Sequence, residues 1–274
     1  MTYCVALKVE AGMVFASDSR TNAGFDQIST FRKMVVYERP GDRFMVLLSS
    51  GNLSISQSVR ELLQGEALSD SGPDPTTIWN ATTMFEVARL LGQTVRHVYD
   101  VDGPALRSAG IDYGCTLILG GQIRGEPMRL FLVYSTGNFI EATPETCYFQ
   151  IGEAKYGKPV LDRMLVPTMP LAEATKCALV SIDSTLKSNL SVGLPIDLVV
   201  YEAGALQSDQ MICIDEVNPY FAMIRESWGQ RLRDAFDGID NPVWGPSGAG
   251  HPLSVRSDRY DVLRKIQHPG DKLV

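Results

Sequence analysis

The chain has 274 residues, 45% of them hydrophobic and 21% charged, with a formal net charge of −7. That composition supplies a core for one large domain, or one domain plus an extension, and the absence of any Lys/Arg run excludes nucleic acid, which needs clustered cations. No apolar run approaches the roughly 20 residues that span a bilayer, and the start has no signal-peptide pattern, so the expected setting is cytoplasmic, with no membrane partner.

The first 51 residues read as two strand hairpins. Tyr3, Val5, Leu7 and Val9 alternate with Thr2, Cys4, Ala6 and Lys8, the period of a strand with two different faces. This strand, 2–9, and a second at 13–18 flank "EAG". Strands at 33–38 and 43–50 flank "RPGD", where Pro presets φ and Gly permits a positive one. The stretch "SRTNAGFDQIST" between the hairpins reads as a polar loop.

Helices are expected at 53–64 and, longer, at 76–99, where Met84, Val87, Leu90, Leu91 and Val95 recur at helical spacing. "CTLILGGQI", "RLFLVYST" and "CYFQIG" return to strands. Two further helices follow at 155–165 and 171–187. "PIDLVVYEAG" and "QMICIDEV" form a last hairpin, and "ESWGQRLRDAF" a last helix. Residues 1–237 are expected to form the domain and 238–274 an irregular extension. Strand hairpins and helices segregated in pairs give α+β rather than alternating βα. Strands such as "MVFAS" and "FMVLL", apolar on both faces, need cover on each side. Two face-to-face sheets between two helix layers, a four-layer αββα sandwich, meet that need.

The chemistry must manage without histidine or metal. The three histidines, His97, His251 and His268, are scattered, and the five cysteines lack a CxxC pair, which points to buried free thiols. The hairpin arithmetic gathers a different group. Folding the first hairpin about Ala11 sets Thr2 opposite Arg20 with Asp18 on the diagonal, so Thr2 and Asp18 share a face. Folding the second about Pro40–Gly41 brings Lys33 beside Leu48 and Ser49, one step from Gly51. If the hairpins pair in one sheet, Thr2, Asp18, Lys33 and Gly51 converge.

A Thr hydroxyl is a weak nucleophile, and an N-terminal amine is a recognised base for it. An α-amine, with a reference pKa of ~7.7–8.0, accepts a proton near neutrality where lysine does not. A cationic Lys33 favours the alkoxide, Asp18 holds Lys33, and the Gly51 N–H is placed to meet an oxyanion. Met1 must first be removed, because an acylated amine is no base. Singly, each residue has a plainer reading: a permissive second residue, a surface lysine, a strand-ending turn, a helix lead-in. The group is stronger than its parts because order, spacing and strand context agree.

The pattern "T…SDSRTNAG…FRKM…SSGN" resembles the start of proteasome β-type subunits, and "ISTFRKM", "GNLSISQSVR", "KYGKPVLDRML" and "KSNLSVGLPIDL" are similar to the bacterial proteasome-like Anbu family, the ancestral β-subunit. The resemblance spans nearly the whole chain and weakens beyond about residue 240. It implies an N-terminal-nucleophile hydrolase fold, a multi-subunit ring or helical homo-oligomer, and no cofactor. It carries Thr2, Asp18, Lys33 and Gly51 over well. The proteasomal Ser of a Gly-Ser-Gly turn is Glu153 here, and an expected Asp followed three residues later by Ser is matched by Ser188 and Ser191.

The expectation is therefore a threonine peptidase, of weak or narrow activity, acting on peptide or unfolded-protein substrate inside its own oligomer, with an unidentified unfoldase or adaptor as a further partner. The alternatives are an amidohydrolase or peptide ligase on small amides, since the fold does not fix the substrate, and a catalytically silent assembly subunit.

Overall fold

Twelve strands and five helices make up the described part of the chain, residues 2–22, 28–64 and 76–242 of a computed structural model. β1 (Tyr3–Val9) and β2 (Gly12–Asp18) form the first hairpin, buried over almost their whole length. Within the stretch read as a polar loop, β3 (Arg20–Asn22) pairs with β4 (Ile28–Thr30) in a small ladder of its own. β5 (Met34–Arg39) and β6 (Arg43–Gly51) form the next hairpin and lead directly into α1 (Leu53–Gln64).

α2 (Met84–Ser108) starts and ends later than periodicity alone predicts. Its beginning is fixed chemically. The Thr83 hydroxyl accepts the Glu86 N–H at 3.1 Å, and the Glu86 carboxylate accepts the Thr82 N–H at 2.7 Å. This reciprocal arrangement satisfies N–H groups that a helix start leaves open. Then come β7 (Cys115–Ile123), β8 (Arg129–Val133), a short β9 (Phe139–Glu141) that the sequence reading passed over, and β10 (Tyr148–Gly152). α3 (Ala154–Met164) and α4 (Leu171–Ser188) form the second helix pair. β11 (Ile196–Glu202), β12 (Met211–Ile214) and α5 (Pro219–Asp237) follow, α5 beginning seven residues earlier than expected.

The strands build two five-stranded antiparallel sheets, β10-β1-β2-β11-β12 and β5-β6-β7-β8-β9. The two N-terminal hairpins thus lie in opposite sheets, not in one as their convergence was expected to require. Phe15, Met13, Phe44, Val46, Leu48 and Ile118 fill the space between the sheets. Removing each such side chain from water contributes about 1.5–3 kcal/mol. Ile55, Val59, Val87 and Leu91 cover the outer face of the second sheet. On the first sheet's outer face, Tyr3 of β1 bonds Ser181 of α4, whose hydroxyl donates to the Gly157 carbonyl of α3. The result is an α+β sandwich of four layers, αββα.

The described residues fall into two units, one ending at Glu226 and the next beginning at Ser227. Most of the expected C-terminal extension lies outside the described residues, as do His251 and His268. Four cysteines are buried and Cys213 is exposed on edge strand β12, so the expectation of buried thiols fails there. Among the described residues no helix is long and apolar enough to cross a membrane, and no group of three or more His, Cys, Asp or Glu could hold a metal ion.

Candidate active site

The register of the first hairpin differs by one from the expected one. Cys4 stands opposite Ser17 and Val9 opposite Gly12, which continues to Tyr3 opposite Asp18 and Thr2 opposite Ser19. Asp18 therefore shares its row with Tyr3, and the direct Thr2–Arg20 pairing does not form. What Asp18 receives instead is the backbone: the Tyr3 N–H donates to its Oδ1 at 2.9 Å, and the Gly193 N–H to its Oδ2 at 3.4 Å.

The second hairpin folds as its turn predicts. The Ser49 N–H donates to the Lys33 carbonyl at 2.9 Å, so Lys33 is opposite Ser49. From there its side chain crosses to the other sheet. Lys33 Nζ donates to Asp18 Oδ1 at 2.7 Å and to the Arg20 carbonyl at 2.6 Å. Both ionic partners are withdrawn from water, Asp18 at 0% and Lys33 at 6% exposure. Burial pushes the Asp18 carboxyl above its ordinary value, against the Lys33 charge and the hydrogen bonds from Lys33, Tyr3 and Gly193, which pull it down. A second link between the sheets lies alongside: the Cys4 thiol donates to the Ser49 carbonyl at 3.6 Å, and burial pushes that thiol well up, so it is an inert one.

Thr2 is tethered from the opposite edge. Its carbonyl accepts the Glu153 N–H at 2.7 Å, just where β10 ends at Gly152. An added Cβ on Gly152 would run into the Thr2 carbonyl and come within 3.2 Å of Ser50 Oγ. Thr2 thus lies near the end of β6, and next to Ser50 is Gly51, at φ +109°. Ser49 bonds toward β5, and the Asn52 N–H bonds the Gly114 carbonyl on the β7 side at 2.8 Å. Alternation along the strand then turns the Gly51 N–H toward the β5 side, beyond the last paired residue of β5.

The remaining two candidates stand differently. Ser191 sits in the turn that follows α4, two residues before Gly193, and its hydroxyl donates to Asn189 Oδ1 at 2.6 Å. Ser188 is exposed at the last position of α4 and makes no side-chain hydrogen bond among the described residues. The structure thus brings Lys33 onto Asp18 beside Thr2 and Gly51, and leaves both Ser188 and Ser191 outside this hydrogen-bonded group. Sequence reasoning missed the supporting backbone groups of Tyr3, Gly193 and Arg20. Such contacts carry no side-chain signature.

No family model matches the chain, and no relative is found among curated proteins. Solved structures do match. Anbu (ancestral beta-subunit) from Yersinia bercovieri is 50% identical over 89% of this chain and 100% of its own, with a TM-score of 0.81. The chain belongs to the Anbu family. A Gly-1 mutant of Anbu from Hyphomicrobium sp. strain MC1 is 46% identical over 88% of this chain and 99% of its own, and a helical assembly of the Anbu complex from Pseudomonas aeruginosa is 44% identical over 89% and 98%, each with a TM-score of 0.81. Membership of the Anbu family accounts for the proteasome-like sandwich, and for self-association as a property of a relative.

Proposed function

We propose that this Anbu chain is a threonine peptidase that works in the cytoplasm after removal of Met1, within a homo-oligomer of many copies. The observation that carries the reading is the buried Lys33–Asp18 pair beside the chain's second residue. An ammonium has three N–H donors. Asp18 and the Arg20 carbonyl take two of Lys33's, which leaves one for Thr2 Oγ. A buried cation beside them lowers the pKa of the hydroxyl and of the freed α-amine together.

In the reaction, Thr2 Oγ attacks a peptide carbonyl while the α-amine accepts the hydroxyl proton, directly or through a water. The negative charge that develops on the carbonyl oxygen meets the Gly51 N–H; losing one such donor typically costs ~10²–10³ in rate. The tetrahedral intermediate collapses to a Thr2 ester, and the α-ammonium returns its proton to the departing amine. Water, deprotonated by the same α-amine, then cleaves the ester and regenerates the hydroxyl. Asp18 orients Lys33 and touches no reacting atom. Ser191 supports the turn that brings the Gly193 N–H onto Asp18, and Ser188 closes α4.

Intact mass before and after exposure to a peptide epoxyketone tests this. The expected result is a chain lacking Met1 that gains one adduct, mapped to Thr2. A chain that retains Met1 in native material and takes up no reagent would overturn the peptidase reading in favour of an assembly subunit. Cleavage of a small amide with no cleavage of longer peptides would favour an amidohydrolase. Assembly is tested by electron microscopy, where the expected image is a helical or ring-like array.

A further inference from the structure

A second polar group faces the space between the sheets, one row from Thr2. Cys4, Ser17, Asp197 and Cys213 stand directly opposite one another across β1, β2, β11 and β12. They share the face of Phe15 and Val199, which pack into the inter-sheet core. Strand spacings of ~4.8 Å and a rise of ~3.3 Å per residue put Asp197 about 12 Å from Thr2.

Ser17 is wholly buried and Asp197 is 8% exposed, yet Ser17 Oγ and Asp197 Oδ2 have no hydrogen-bond partner among the described residues. Its ion-pair partner there, Arg32, has Nη1 3.9 Å from Oδ1 on a side chain 74% exposed. A pair so open to water contributes little, far less than the cost of taking a carboxylate out of water. Asp18, buried more completely still, is answered by a lysine and two backbone N–H groups. Asp197 has no such support.

We infer that Asp197 and Ser17 form an acidic subsite that takes a protonated amine or guanidinium, presented by the lysine or arginine side chain of a peptide substrate, with Arg32 resting against it when it is empty. This rests on the peptidase reading above and names its substrate class. Two oxygens are too few for calcium or magnesium, which gather six or more ligands. They suit an ammonium, whose three donors can engage Oδ2, Oγ and a substrate carbonyl. An extended peptide advances ~3.3–3.6 Å per residue, so the basic residue lies about three or four positions from the scissile bond.

Calorimetry on the full chain tests this with acetylated alanine hexapeptides carrying a single lysine at each position in turn, and with their norleucine counterparts. At one position, lysine is expected to bind about tenfold more tightly than norleucine. Asp197→Asn should bring that ratio to about one, and Arg32→Ala should strengthen the lysine peptide severalfold by removing the resident cation. Equal affinities at every position, no measurable binding of either series, or a ratio unchanged in Asp197→Asn would each overturn the inference. If Asp197→Asn fails to fold, the wild-type ratio and the Arg32→Ala response still decide. Binding needs no turnover, so the result is separate from Thr2 reactivity. An epoxyketone that labels Thr2 while lysine peptides show no preference leaves the peptidase reading standing and sinks this one.

Discussion

Lys33 Nζ and Asp18 Oδ1 meet at 2.7 Å across the gap between two sheets, one partner leading into β5 and the other ending β2. Removing either partner alone strands a buried charge, which typically costs 3–5 kcal/mol. Removing both need not. Lys33→Met and Asp18→Asn are each expected to lower the urea midpoint strongly, with the double variant more stable than the sum of the two losses predicts. Labelling of Thr2 by the epoxyketone should be lost in Lys33→Met and stay lost in the double variant. Strictly additive stabilities would show that the two groups do not act as a pair; recovered labelling would show that Lys33 has no part in the chemistry.

Gly51 is held at φ +109°, and a Cβ there would run into the Gly114 carbonyl. A positive φ strains any side chain, and the obstacle is backbone that cannot step aside cheaply. Gly51→Ala is expected to destabilise the fold by about 2–4 kcal/mol, judged from large steric and backbone-strain effects, and to slow Thr2 labelling below the melting transition by turning the amide away. Wild-type stability in Gly51→Ala would show that the backbone at the end of β6 differs from the one described.

Much of this arrangement was legible before the structure, and the gaps have physical causes. "RPGD" fixed the β5–β6 register because the turn is local, and so Lys33 came out opposite Ser49. The start of α2 was also on the page, as Thr83-x-x-Glu86, a helix-start signal that hydrophobic spacing alone overran. The β1–β2 register was not readable from its turn. Gly12 is there because β2 presses against β11, where a Cβ would strike the Tyr201 carbonyl, a partner nearly 190 residues away. Sheet membership was equally hidden. Alternation shows that a strand has two buried faces but not which sheet covers them, and the site forms across the sheets. The unpartnered Asp197 gave no motif at all.

Tyr3 joins the first strand to both outer helices. Its hydroxyl lies 2.6 Å from Ser181 Oγ, receives Gln150 Nε2, and through Ser181 reaches the Gly157 carbonyl at 3.0 Å. Burial pushes the phenol far up, so it stays protonated. Tyr3→Phe deprives Ser181 and Gln150 of a buried partner, which should cost about 1–3 kcal/mol. The Tyr3→Phe/Ser181→Ala double variant should lose clearly less than the two single losses added together, as for members of one network. Additive losses in denaturant titrations would show that the hydroxyl pair contributes nothing as a pair.

Asp197 also shapes the response to pH. Burial raises its carboxyl above the ordinary value of 3.8, while the Arg32 charge pulls it back only in part. Cys213, opposite it on β12, adds no counter-charge. With the folded value above the unfolded one, the folded chain holds the proton longer. Asp197 therefore costs nothing below pH 3.8, and its penalty grows as pH rises through the folded value. Asp197→Asn removes that penalty. The variant is expected to melt about 2–4 °C higher than wild type at pH 8, the shift that 1 kcal/mol produces in a domain of this size. The difference should shrink as pH falls toward 4. An Asn variant less stable than wild type at pH 8 would mean that the carboxylate has a resident cation stronger than Arg32, and that the subsite is already filled.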